Sequence, residues 1–154
     1  MTDHLDPHLE PLRTLLGRTF RGEMPDDGRV AIDISRWERA LGGRAVRNLH
    51  SVDEGEYGGE TIIFWDEDAQ AVGAWYFTTA GFRTRATLTF EPGRVVSHER
   101  VTGNKNGITE VRGVTEIRPD GTLHTRAEYL KNGEWVPGHS GVYREDPSAE
   151  VRFR

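Results

Sequence analysis

The chain contains no cysteine, which removes disulfide staples, thiolate metal sites and cysteine nucleophiles from consideration. It has no apolar run approaching the roughly 20 residues of a membrane helix. Its opening residues, MTDHLDPHLEPL, carry acids and histidines where a secretory signal needs a basic start and then an apolar stretch. These absences predict a soluble, cytoplasmic protein with no membrane partner. Long blocks of one charge sign are also missing: 20 Lys and Arg are interspersed with 25 Asp and Glu, for a net charge of -5. A non-specific nucleic-acid binder needs a basic patch to displace counterions from phosphate, so no nucleic-acid partner is expected.

Catalytic signatures are equally scarce. His4 and His8 stand four apart, but no HExxH sequence accompanies them. The segment GEYGGET lacks the lysine of a phosphate-gripping loop. In GHSGV the second glycine adjoins Ser140, unlike the G-x-S-x-G of a nucleophile elbow. Carboxylates are plentiful at Asp53 with Glu54, across 66–68, and at Glu110 with Glu116, yet none has a context that opposes two of them across a substrate.

What the chain does contain is strand. Residues 60–102 read ETIIFWDEDAQAVGAWYFTTAGFRTRATLTFEPGRVVSHERVT, four runs rich in β-branched and aromatic residues separated by DED, TTAG and EPG. Such side chains pack well on a pleated surface, and interruptions this short leave room only for hairpin turns. Phe82, Thr84, Ala86, Leu88 and Phe90 alternate with Arg83, Arg85, Thr87 and Thr89, giving one core face and one wet face. Downstream, NKNG, PDG and the Asn132-Gly133 pair mark further turns, the last because both residues tolerate the left-handed angles of a type I′ hairpin. Upstream, Val30, Ile32 and Ile34 alternate in a strand that also holds Trp37, and Gly42-Gly43 interrupts it. Pro137 places the last strand at an edge, bulge or rim. Trp135, Pro137, His139, Gly141 and Tyr143 are assigned to one of its faces.

One stretch reads as helix. Leu5, Leu9, Leu12 and Leu16 form a stripe, and Asp6 before Pro7 supplies an N-cap with proline at the first helical position. Pro11 limits it to a short helix or a pair of turns. The count is nine or ten antiparallel strands in a meander, and closure removes the exposed edges of so long a sheet. The expected fold is therefore all-β, an up-and-down antiparallel barrel with a short N-terminal helix. A chain of 154 residues makes one domain: a helical cap over 1–16, a barrel over 17–146 and a tail over 147–154.

The opening HLEPLRTLLGRTFRGE, with Gly17 and then Phe20-Arg21-Gly22, resembles the start of the calycin-like proteins that share a lipocalin or nitrobindin-type barrel. WERALGGRAV, followed by a strand, a polar loop and a meander, is similar to an uncharacterised bacterial lipocalin-like domain group, distantly nitrobindin-like. The resemblance implies a lipocalin-like barrel holding a small hydrophobic molecule, or haem in the nitrobindin-like branch. There a late histidine ligates iron, and His139 is the residue here that could match it.

Candidate ligand contacts follow from face assignment and aromatic content: Trp37, Phe64, Trp75, Phe82, His98, Tyr129, Trp135, His139 and Tyr143. Aromatic faces desolvate an apolar ligand, while His139, Tyr143 or an inward arginine would orient it. His98 with Arg100, and His124 with Arg126 and Glu128, read first as solvated outer faces, and as a polar lining only if the strands are inverted. The leading expectation is non-catalytic binding of a small, mostly hydrophobic molecule. The alternatives are an enzyme moving a proton with a cavity histidine, haem binding through His139, and a structural or dimerising domain with a packed interior. A homodimer would also explain why 60–66 and 71–77 are apolar on both faces.

Overall fold

In the computed structural model, which describes residues 3–154, the strand pattern closes on itself. The ten strands are β1 (Thr19–Asp26), β2 (Arg29–Ala40), β3 (Ala45–Val52), β4 (Tyr57–Asp66), β5 (Ala71–Thr78), β6 (Arg83–Glu91), β7 (Arg94–Thr102), β8 (Ile108–Ile117), β9 (Leu123–Lys131) and β10 (Glu134–Glu145). Each pairs antiparallel with its neighbours in sequence. β1 pairs with both β2 and β10, so the barrel is closed and no sheet edge remains. Ten closed antiparallel strands and a short N-terminal helix are consistent with a calycin-like fold in general.

The turns have the chemistry their sequences predict. Asn132 and Gly133 lie at φ 51° and 85°, as a two-residue primed turn requires. In β10 the register slips between Pro137 and Ser140, a bulge where proline has no N–H to give the ladder.

The helical element is a 3₁₀ helix over Pro7–Leu15, with Pro11 inside it. Asp6 caps it: its carboxylate accepts from the His8 backbone N–H at 2.9 Å. A 3₁₀ helix has three residues per turn, so the buried stripe is Leu9, Leu12 and Leu15 rather than the α-type set ending at Leu16. Pro7 at the first position costs no helical hydrogen bond, whereas Pro11 removes an interior donor and its ring crowds the carbonyl four residues earlier, which interrupts regular α-winding. These leucines are fully buried against Phe20, Val46, Ile63 and Leu123 and plug one end of the barrel. The plug is pinned where the Asp6 N–H donates to the Gly43 carbonyl at 2.8 Å, and where the His8 ring stacks on Trp65 with centroids 3.6 Å apart. A side chain on Gly43, at φ 93°, would collide with the His4 carbonyl.

The end of the chain is tied to the wall. Asp146 N–H donates to the Thr19 carbonyl at 2.8 Å, and Arg152 N–H to Ser51 Oγ at 3.0 Å. Among the described residues no helix is long and apolar enough to cross a membrane.

Candidate functional site

Alternation along each strand decides which side chains enter the barrel. On β2 the inward set is Ala31, Asp33, Ser35 and Trp37, and Val30 is 53 % exposed. Val30, Ile32 and Ile34 therefore lie on the other face, outside the cavity, and the inward set carries Asp33 and Ser35 beside Ala31 and Trp37. The reason is mutual satisfaction: polar groups on β2 meet polar groups on β3 and β10, so burying them leaves no orphan. On β6 the expected Thr84 and Ala86 face is the buried one.

Between the leucine plug and the opposite rim the barrel retains a cavity of about 600 Å³, open at the rim end. The space exists partly because of glycines. Tyr143 enters over Gly22, its pairing partner on β1, where any Cβ would overlap the phenol ring.

Asp33 organises the polar wall. Its side chain is 7 % exposed; Oδ2 accepts from the Tyr143 hydroxyl at 2.5 Å, and Oδ1 lies 2.9 Å from His50 Nδ1. His50 Nε2 lies 2.6 Å from the Tyr76 hydroxyl, which lies 2.7 Å from that of Tyr57. With the Nδ1 proton directed at Asp33, Nε2 accepts from Tyr76 and Tyr76 accepts from Tyr57. The lone pairs of the Tyr57 oxygen are then free at the end of the chain. Burial pushes the Tyr57 phenol up to about 12, and it raises Tyr76 and Tyr143 as well. All three stay neutral donors and acceptors in the physiological range.

A second pair sits nearer the rim. The Tyr129 hydroxyl accepts from the His139 backbone N–H at 3.3 Å and lies 2.5 Å from His139 Nδ1. In the neutral tautomer that carries its proton on Nε2, the hydroxyl donates to Nδ1 while accepting from the backbone N–H. Desolvation holds the His139 imidazole below its ordinary value, consistent with that neutral tautomer. His139 keeps accessible surface because it faces the cavity.

The remaining walls are mixed. Phe82, Val101, Val111 and Leu123 are apolar, and Glu99 enters from β7 with Thr84 Oγ1 donating to its Oε1 at 3.0 Å. Burial raises the Glu99 carboxyl above its ordinary value. Asn48 Nδ2 donates to Ser35 Oγ at 2.8 Å, and the Trp37 indole N–H has no partner among the described residues.

Of the residues singled out from sequence, Trp37, Phe82, Tyr129, His139 and Tyr143 line this cavity. The other four lie elsewhere. Phe64 borders a surface groove with Pro7, His8 and Trp65. Trp75 lies under the Arg85 guanidinium at 4.7 Å, and Trp135 under that of Arg112 at 3.7 Å. His98 is 3.2 Å from Glu110 on the exposed face of β7. The bulge in β10 is what separates Trp135 from His139, which simple alternation assigns to one face. The expected inward arginine is not there: no arginine or lysine is among the described residues that line the cavity.

Sequence reasoning passed over Asp33, His50, Tyr57, Tyr76 and Glu99. Asp33 and Glu99 stand in strands whose polar face looks wet, and Tyr57 lies in a stretch, DEGEYGG, that reads as loop. The alternation of Asp33, Ser35 and Trp37 could have flagged an inward polar face, since Trp37 is a poor candidate for the solvent side.

No group of three or more potential metal ligands occurs among the described residues. The lining fits haem poorly, because its acids at Asp33 and Glu99 have no cation beside them to receive two propionates. Comparison of the sequence with protein-family models and with curated proteins gave no match.

Proposed function

We propose that this barrel binds one small amphipathic molecule in its interior and carries or sequesters it without transforming it. The observation that supports the reading most directly is the cavity of about 600 Å³ lined by both apolar side chains and hydrogen-bonding groups. That volume lies within the ordinary range of ligand pockets, roughly 300 to 1,000 Å³. An apolar body would shed water against Phe82, Val101 and Val111, while a polar head would take the free positions left by the Tyr57 oxygen and Glu99. The ligand is accordingly less hydrophobic at one end than a plain lipid chain.

Trp37 provides the test, because Trp65, Trp75 and Trp135 lie outside the cavity. Native mass spectrometry of gently purified protein should find an adduct, and titration with Nile red, a neutral apolar dye, should quench Trp37 emission with one-site saturation. Trp37→Phe should remove the quenched component and keep dye binding. Failure of wild-type protein to bind either a co-purified molecule or the dye would sink the reading.

One observation favours an enzymatic alternative. The Asp33–His50–Tyr76–Tyr57 chain is continuous, and a proton accepted at Tyr57 would be passed on to leave His50 charged beside Asp33. Conversion of the co-purified molecule by wild-type protein, lost in His50→Gln with binding retained, would move the assignment to that class.

A further inference from the structure

The charge lining the cavity is of one sign. Asp26, Asp33 and Glu99 contribute carboxyls, and no lysine or arginine stands among the described residues facing it. Asp26 is at the rim, 3.3 Å from the Arg29 guanidinium. Asp33 is spoken for by Tyr143 and His50, and any charge on His50 is matched by that carboxylate at 2.9 Å. Glu99 is different. Its one hydrogen bond within the protein comes from the neutral Thr84 hydroxyl, and its second oxygen has no protein donor among the described residues. A carboxyl so enclosed without a cation is costly to charge, which is why its proton is held more tightly than usual. Tyr57, Tyr76 and Tyr129 line the same cavity as Glu99. The histidines do not offset it, since the His139 ring accepts at Nδ1 and burial disfavours its charged form.

We infer that the ligand of this cavity is an organic amine, its ammonium group seated between the free oxygen of Glu99 and the phenol oxygen of Tyr57, with its apolar body against Phe82, Val101 and Val111. This rests on the binding reading above and names its ligand class. A hydrogen-bonded ammonium satisfies both acceptors at once, and it supplies the positive charge that the wall lacks. A carboxylate would meet the Glu99 acid and the lone pairs of the Tyr57 oxygen with no lysine or arginine in the lining, so fatty acids and other organic anions are the class this interior rejects.

The test is displacement of Nile red from the full chain by octylamine, octanol and octanoate, which share one alkyl body and differ in head group. Octylamine should displace the dye at a concentration about tenfold or more below octanol, and octanoate should be the weakest. Glu99→Gln keeps the Thr84 hydrogen bond and should bring octylamine to within about twofold of octanol, each read against the dye affinity of the same variant. Asp26→Asn, at the rim, should leave the ranking as in wild type. Octanoate binding as tightly as octylamine would overturn the amine assignment and leave the carrier reading standing. An amine preference that survives Glu99→Gln, or disappears in Asp26→Asn, would overturn the role given to Glu99. If Glu99→Gln does not fold, the wild-type ranking with Asp26→Asn still decides the ligand class. Wild-type protein that binds neither the dye nor a co-purified molecule would overturn both readings, and a co-purified molecule without an amine would overturn the amine assignment alone.

Discussion

Replacing Tyr143 by phenylalanine deletes one oxygen from the interior and nothing else. The ring stays over Gly22, so packing is preserved, and the loss is the hydrogen bond to Asp33 Oδ2 at 2.5 Å. A hydrogen bond to a charged group contributes about 1.5 to 3 kcal/mol. Asp33 has only His50 left to satisfy it in this enclosed setting, so the effect should fall within that range rather than near zero. In a chain of this size each kcal/mol displaces Tm by roughly 2–4 °C, so Tyr143→Phe should melt about 3–12 °C below wild type. Urea denaturation followed by circular dichroism gives the free energy, and a cycle with Asp33→Asn isolates the pair. The coupling should exceed about 1 kcal/mol, since residues that share a buried hydrogen bond are not additive. A Tyr143→Phe protein within about 0.5 kcal/mol of wild type, or additivity of the two changes to that precision, would refute Asp33 as the organising group of the wall.

Leu12→Ala should cost about 2–5 kcal/mol, the penalty for emptying a fully buried leucine site, because Leu12 sits at the centre of the plug between Leu9 and Leu15. Thermal denaturation checks it, and a loss under about 1 kcal/mol would mean that the plug is not part of the cooperative core. Two cavity groups give stability opposite pH slopes. His139 is held below its ordinary 6.5, so its contribution is complete above that pH and is lost as pH falls from there through the folded value. Glu99 is held above its ordinary 4.5, so its contribution is complete below that pH and is lost as pH rises through the folded value. Glu99→Gln should therefore raise Tm at about pH 8 and lose most of that advantage near pH 4.5, whereas an advantage constant across the range would contradict the enclosed carboxyl. If Glu99 also holds an amine, the variant trades binding for stability, as residues placed for function commonly do.

Local chemistry was enough for the outline of the fold. Asn132-Gly133 had to turn in the left-handed region, Asp6 before Pro7 had to start a helical segment, and Phe82 to Phe90 could alternate in only one way with a buried face. Repeated ten times with short connections, such signals leave a closed meander as the arrangement without exposed edges. The leucine stripe was legible as a stripe, but its winding follows from Pro11 inside it together with the packing of the leucines at the barrel end.

Which face of each strand points inward was a tertiary matter. On β2 the alternation of Val30, Ile32 and Ile34 is as regular as that of Ala31, Asp33 and Ser35, and only contact with His50 and Tyr143, from β3 and β10, makes the polar set the interior one. The Pro137 bulge exchanged Trp135 and His139 between wall and cavity, a one-residue event invisible to period-two reasoning. The candidate site suffered most, because its lining comes from all ten strands and the β5–β6 and β7–β8 connections. A histidine joins a hydrogen-bonded chain, and a glutamate is left with one free oxygen, only when closure of the barrel sets them around a shared space. The sequence contained the residues and their alternation, whereas the cavity, its charge and the Asp33 network arose from long-range pairing that no local signal encodes.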